Sequence, residues 1–424
     1  MPETILRAAK DAAFESAVLE NGLTVLVHTM PAASSVHAIY ATNFGSIHRA
    51  FTLDGKEYRL PAGIAHFLEH KMFENEDGDA FELYAATGAS ANAYTGFDKT
   101  SYVFTASQEI EKNLGILLRF VSHPYFTKAT VAKEQGIIGQ EIKMYDDSPD
   151  WQLLETMNRC LYTQHPLRDD IAGTVETIAE ITPEVLYACT DAFYRPQNMV
   201  LAVAGNVSLE TVLGVCAAEH IPAREGAVVR APFSEPAAVP RTFAERTMAI
   251  AKPMLGLGFK EAPVAGGRLE RAKQELLCDM LTDLVCGDMT PLFRSLYDEG
   301  LVNGDFSGDF LSVEGAACFL FGGETAQPET VRARLLAEIA RLRAEGVPEE
   351  LFRLCKNQMY GELVTDLENP EDVAAGMVSA FFRGREPADE IAALAAMTVD
   401  DANAALARML REEHSATVII RPQG

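Results

Sequence analysis

His66-Phe67-Leu68-Glu69-His70 is the stretch on which the reading of this chain turns. It spells H-x-x-E-H, the reverse order of the H-E-x-x-H zinc pattern. On a helix, residues four apart lie on one face. His66 and His70 can therefore present two imidazole nitrogens to a single ion. Glu69 follows His66 by three residues and shares that side, where a carboxylate can take a proton from a polarised water. Two histidines and a glutamate on a solvated helix face would give the same letters. The surroundings, Gly63-Ile64-Ala65 before and Met72-Phe73 after, are apolar, and ionisable groups in such a setting need partners.

A catalytic zinc takes a third protein ligand and keeps a fourth position open. The stretch 130–144 reads as a helix on which Glu134 and Glu141, seven residues apart, share a face. One carboxylate can ligate while the other orients a ligand from behind. Spacing alone does not say which, and a solvated charged helix has the same pattern.

With these residues the chain resembles the pitrilysin/insulinase family of zinc peptidases, which includes the mitochondrial processing peptidases. In that family the third ligand is a Glu roughly seventy residues after the second His, and another Glu lies seven before it. Here Glu141 follows His70 by 141 − 70 = 71 residues and Glu134 precedes it by 141 − 134 = 7. The resemblance implies Zn²⁺ held by His66, His70 and Glu141. It makes Glu69 the general base and Glu134 the accessory catalytic carboxylate that orients His66 or His70.

Two further stretches carry the resemblance. Gly88 to Tyr102 is similar to the family's G-x-x-x-N-A-x-T-x-x-x-x-T-x-Y stretch, a strand bordering the active site. It implies an edge strand at 90–95 to which an extended peptide substrate can add, with Asn92 and Ala93 as substrate-binding residues. Phe193-Tyr194-Arg195-Pro196-Gln197-Asn198-Met199 resembles the family's Y-x-P-x-N-M turn, and 200–206 the strand after it. The implied activity is endopeptidase cleavage of extended or unfolded peptides. The implied fold is half of a clamshell, which the family completes in one chain or by pairing two.

One stretch departs from the pattern. Active members often carry an Arg and a Tyr in S-x-L-x-x-x-x-R-E-x-x-G-L-x-Y. Here 290–303 puts Tyr297 at the Arg position and Asn303 at the Tyr position, with Arg294 as the nearest substitute. This implies a homo- or heterodimer in which a homologous subunit supplies the Arg/Tyr pair. It also leaves open the alternative of a non-proteolytic scaffold or assembly subunit of the same fold.

Composition sets the bounds. The chain has 424 residues, too many for one ordinary core, and 48% of them are hydrophobic, enough to bury two. A net charge of −25 argues against nucleic acid and anionic membranes as partners. No apolar run reaches the roughly 18 residues of a membrane span. The opening Met1-Pro2-Glu3-Thr4-Ile5-Leu6-Arg7, with Asp11 and Glu15 beyond it, reads as neither signal peptide nor presequence. The seven cysteines (Cys160, Cys189, Cys216, Cys278, Cys286, Cys318 and Cys355) form no C-x-x-C pair. They read as free buried thiols of a reducing compartment, consistent with a cytoplasmic location. The remaining histidines, His28, His37, His48, His123, His165, His220 and His414, lack ligand spacing.

The fold class expected is α+β: two homologous α/β-sandwich domains, each an antiparallel-rich sheet packed by helices. Residues 1–220 form the zinc-binding catalytic domain. The proline-bearing stretch 221–242 reads as a linker, and 243–424 as a diverged repeat without metal. Predicted strands are 36–43 and 101–105, and predicted helices 108–122, 128–145, 150–161, 172–178, 183–193 and 208–219. The second half replays this with strands at 254–260, 316–322 and 416–420 and helices at 268–286, 328–345 and 348–367. Glu368-Asn369-Pro370 echoes Asp147-Ser148-Pro149, and Thr398 opens a helix as Thr182 does. The counterpart of the metal helix, 274–281, has no histidine.

Overall fold

In the computed structural model, which describes residues 14–76 and 78–423, the repeat is visible in the strand order of two sheets. The first runs Glu15–Val18, Thr24–Thr29, Met199–Gly205, Val36–Thr42, Thr100–Ala106, Ser90–Thr95. The second runs Phe243–Met248, Ser415–Pro422, Met254–Glu261, Ala316–Glu324, Ser307–Val313. Leaving out the extra hairpin strand Glu15–Val18, both sheets place their strands in the sequence order first, fifth, second, fourth, third. In both, the first and last strands pair parallel and every other neighbour pairs antiparallel. The N-terminal stretch Met1–Arg7, read above as carrying no targeting segment, lies outside the described residues.

The central strand Met199–Gly205 is apolar along its whole length because helices cover both of its faces. Every residue of Met199–Gly205 is buried. Alternation sends Leu201 and Val203 to the core beneath the H-x-x-E-H helix. Val200, Ala202 and Ala204 point the other way, where Val373, Ala374, Met377 and Val378 meet them. Those four residues stand on helix Pro370–Phe382, which belongs to the second half of the chain.

The exchange is reciprocal. Helix Pro149–Leu161 of the first half packs through Met157, Cys160 and Leu161 on Ala244, Cys318, Ala416 and Val418 of the second sheet. The approach is close enough to require glycine: a Cβ on Gly258 would come within 2.6 Å of the Met157 sulfur. The echo between Ser148-Pro149 and Asn369-Pro370 marks the N-termini of these two exchanged helices, each with proline in the first turn. Neither sheet is covered on both faces by its own half alone.

Most predicted elements stand within a few residues of their expected bounds, with two differences. The helix expected at 172–178 is a single turn, Val175–Ile178. Gly173 breaks it with φ +75°, and a Cβ there would lie 2.4 Å from the Ala62 carbonyl oxygen, so this turn docks against the entry to the motif helix. The stretch 221–242, expected as a plain linker, contains strand Val228–Arg230, which pairs with Ala50–Leu53 in a small sheet completed by Lys56–Arg59. Its β-branched valines pair where its prolines cannot. The second unexpected role of this stretch is Glu235. It accepts backbone N–H bonds from Thr163, Gln164 and His165 and an ammonium bond from Lys260 at 2.6 Å. A first-half loop and a second-half strand are thus fastened to one buried carboxylate.

All seven cysteines are buried and none is in a disulfide. Among the described residues, no helix is long and apolar enough to cross a membrane.

Burial alone would raise the Glu235 pKa, but Lys260 and the three backbone N–H groups outweigh it and hold the carboxyl down at about 2. A depressed pKa contributes stability above the ordinary carboxyl value of 4.5, and that share is lost as pH falls toward about 2. Glu235→Gln leaves Lys260 without its counter-charge, at a cost of about 3 kcal/mol. The expected outcome is a lower urea midpoint for the variant at pH 7, with the gap to wild type closing below pH 4.5.

Candidate metal centre

The motif lies on helix Ile64–Met72, only nine residues long. Its entry is Gly63, at φ +89°, where a Cβ would meet the Ala172 carbonyl oxygen at 2.3 Å. A helix this short is marginal on its own. Ala65, Phe67, Leu68 and Met72 anchor it in the core under the first sheet. Its remaining face turns His66, Glu69 and His70 toward helix Lys128–Asp146. That second helix starts on a Thr127–Thr130 capping box and sinks Val131, Ile138 and Ile142 into the core. Glu134 and Glu141 thereby face the two histidines.

His66, His70 and Glu141 each offer a ligand atom, and these atoms all lie within 4.8 Å of one another. His66 Nε2 is 3.6 Å from Glu141 Oε1, and His70 Nε2 is 3.5 Å from Glu141 Oε2. His70 Nδ1 lies 3.1 Å from Glu134 Oε1. Of the two histidines left open by the sequence, Glu134 therefore engages His70. A carboxylate only accepts, so the proton sits on Nδ1 and the Nε2 lone pair points at Glu141 and the common centre. His66 Nδ1 is buried with no hydrogen-bond partner among the described residues.

The donor chemistry fits a zinc ion: two imidazole nitrogens and a carboxylate oxygen, three protein ligands with room for a fourth. Electrostatics agree. The Glu141 carboxyl is held down at about 2, first by His66, against burial, with Tyr145 and His70 adding to the effect. Burial works to lower the His70 pKa, but the Glu134 hydrogen bond and the charges of Glu69, Glu141 and Glu134 overcome it and raise it.

Glu69 is buried and one of its oxygens is already committed: Thr95 Oγ1 donates to Glu69 Oε2 at 2.7 Å. Thr95 ends strand Ser90–Thr95, the unpaired edge of the first sheet. Sequence reasoning passed over this threonine, although it is the T of the N-A-x-T stretch. Tyr145 was also missed. It lies one helical turn after Glu141 and donates to Glu141 Oε1 at 3.0 Å.

Asn92 and Ala93 lie on the edge strand with Thr95. The Asn92 side chain accepts from the Ala93 N–H, and Ala93 rests half-buried on the core. Tyr102 and Tyr194, each from a stretch that carried the family resemblance, share a 2.8 Å hydrogen bond deep in the core and serve packing. In the second half, Tyr297 and Arg294 are exposed on helix Pro291–Asp298, and Asn303 bonds locally to Asp305.

Two family models match consecutive stretches of the chain, meeting near residue 180, ahead of the 221–242 junction. The family model for Insulinase (Peptidase family M16) matches residues 56–175, and that for the Peptidase M16 inactive domain matches 180–359. The uncharacterized zinc protease YmfH of Bacillus subtilis (strain 168) is 36% identical over 394 residues, 90% of each chain. The crystal structure of an M16-like peptidase from Alicyclobacillus acidocaldarius superposes with a TM-score of 0.93 at 37% identity, covering 97% of this chain and 98% of that one. The probable mitochondrial-processing peptidase subunit beta of Schizosaccharomyces pombe is 30% identical over 220 residues, 50% of this chain and 46% of that protein.

Two outcomes are expected of zinc binding measured by competition with a chromophoric chelator. Glu134→Gln removes the charged partner of His70 and weakens affinity by about 10- to 100-fold. For wild type, a proton on His70 competes with the metal, and its raised pKa carries that competition above the ordinary 6.5. Affinity should accordingly fall on acidification from pH 8 to 6, approaching about tenfold per unit for one displaced proton.

Proposed function

The chain belongs to the insulinase family of peptidases (peptidase family M16), and from that premise we propose that it is a zinc-dependent endopeptidase acting on extended or unfolded peptides. The observation that carries the reading is the convergence of His66, His70 and Glu141 with the Glu69 carboxylate beside them. His66 Nε2, His70 Nε2 and Glu141 would hold the ion. When bound, zinc supplies Lewis-acid polarisation of water and of the scissile carbonyl. The remaining work falls to side chains. Glu69, with Oε2 held by Thr95, takes the proton of the attacking water on its other oxygen and delivers it to the leaving amine. Glu134 keeps the His70 proton on Nδ1. The free edge of Ser90–Thr95 receives the substrate backbone as an added strand, with Asn92 and Ala93 beside it. Because Thr95 belongs to that strand, substrate binding and base orientation share one element.

The Arg/Tyr pair that active relatives carry has Tyr297 and Asn303 in its place here. We therefore extend the proposal to a dimer, with a homologous subunit supplying the pair. The curated mitochondrial-processing relative is named as a subunit, which supports a multi-chain arrangement. The same departure favours the second reading, a non-proteolytic scaffold of the same fold. The seven unpaired cysteines support a cytoplasmic setting.

Cleavage of a quenched peptide mixture separates the two. Glu69→Gln should retain zinc and lose cleavage by about 10²- to 10⁴-fold. If wild type carries zinc and cleaves nothing, alone or with any co-expressed homologue, the scaffold reading stands. The dimer is checked by native mass measurement after co-expression with a homologue that carries Arg and Tyr. A fully active homodimer would contradict the need for a different subunit.

A further inference from the structure

We propose that Tyr145, Trp151 and Asp170 form a brace that sets Glu141 in its ligating position before metal arrives, with Tyr145 as the positioning residue. This rests on the metal-centre reading above and assigns a role to residues that the reading does not use.

The brace can be followed bond by bond. Tyr145 stands four residues after Glu141 on the same helix face, and its O–H donates to Glu141 Oε1 at 3.0 Å. This bond leaves Oε2 directed at His70 Nε2. The Tyr145 ring is itself fixed, stacked on Trp151 with centroids 4.9 Å apart and planes at 25°. Trp151 lies on the next helix, Pro149–Leu161, and its indole N–H donates to Asp170 Oδ2. The other Asp170 oxygen accepts from the Ala172 N–H at 2.7 Å. The Ala172 carbonyl abuts Gly63, at the start of the helix that bears His66 and His70. The path closes on itself: it leaves the third ligand and returns to the helix of the first two.

Each link has a physical purpose. Glu141 sits on a long side chain with three free torsions and is only partly buried, so packing alone does not choose its rotamer. A phenol is a directional donor that holds one carboxylate oxygen and adds no charge of its own. Asp170 keeps the indole, and through it the phenol, from rotating. Trp151 also lies on the exchanged helix that packs against the second sheet. The brace therefore ties the metal-binding group to the half of the chain that has no ligands.

The test uses the full chain as wild type, Tyr145→Phe and Asp170→Asn. Tyr145→Phe keeps the ring stack and removes only the O–H. Three quantities are read: zinc affinity by chelator competition, the visible spectrum of the Co²⁺-substituted protein, and the unfolding midpoint of the metal-free protein. The expected result for Tyr145→Phe is about tenfold weaker zinc binding and an altered cobalt spectrum, with the metal-free midpoint unchanged. Asp170→Asn should move affinity in the same direction by a smaller factor. Unaltered affinity and spectrum in Tyr145→Phe would overturn the brace while leaving the metal centre in place. So would an affinity loss matched by lost metal-free stability with the cobalt spectrum unchanged, since Tyr145 would then be a packing residue. A wild type that takes up neither metal would overturn the metal-centre reading and the brace with it.

Discussion

A nine-residue helix has no stable existence in water by itself, yet two of the three candidate metal ligands sit on one. Everything at the centre depends on holding Ile64–Met72 against Lys128–Asp146 at a fixed distance and rotation. The core does this from beneath through Phe67 and Leu68. The close approach of Gly63 to Ala172 and of Gly173 to Ala62 does it at the entry, where any side chain would force the turn and helix apart. The His70–Glu134 bond does it across the cleft. The site is in this sense a consequence of packing between two helices.

The second half supplies structure rather than ligands. Its sheet repeats the strand order of the first, but the counterpart of the metal helix, Arg268–Cys286, lacks histidine. What the repeat contributes is a helix. Pro370–Phe382 covers the outer face of the first sheet, and Pro149–Leu161 returns the arrangement. Because the glutamate helix leads straight into Pro149–Leu161, loss of the second half would expose the element next to the third ligand. The Glu235–Lys260 pair fastens the same junction just beyond the end of Pro149–Leu161, where Glu235 also holds the Thr163, Gln164 and His165 N–H groups. The half that carries the candidate metal ligands thus leans on its repeat for the cover of its sheet.

Much of this was legible in the sequence, for identifiable reasons. The two pairs were readable because each lies on one helix, where spacing fixes the face: His66 with His70, and Glu134 with Glu141; the choice of Glu141 to join the histidines rested on the family resemblance. The partner of Glu134 was not readable, because the choice between His66 and His70 depends on how two helices cross. Thr95 and Tyr145 escaped notice because threonine in a strand and tyrosine on a helix are ordinary, and only their bonds to Glu69 and Glu141 give them a role. The helix exchange was hidden for a different reason. An amphipathic helix announces that it has a buried face but not which sheet that face meets. Strand Val228–Arg230 was masked by the prolines around it, which made the whole stretch read as a linker.

Zinc-edge X-ray absorption on the purified protein tests the central claim most directly, because it reads the ligands themselves. The account predicts a first shell of two imidazole nitrogens with one or two oxygens at about 2.0–2.1 Å and no sulfur, falling to one imidazole in His66→Ala. A sulfur shell near about 2.3 Å, or an imidazole count that His66→Ala leaves unchanged, would contradict it.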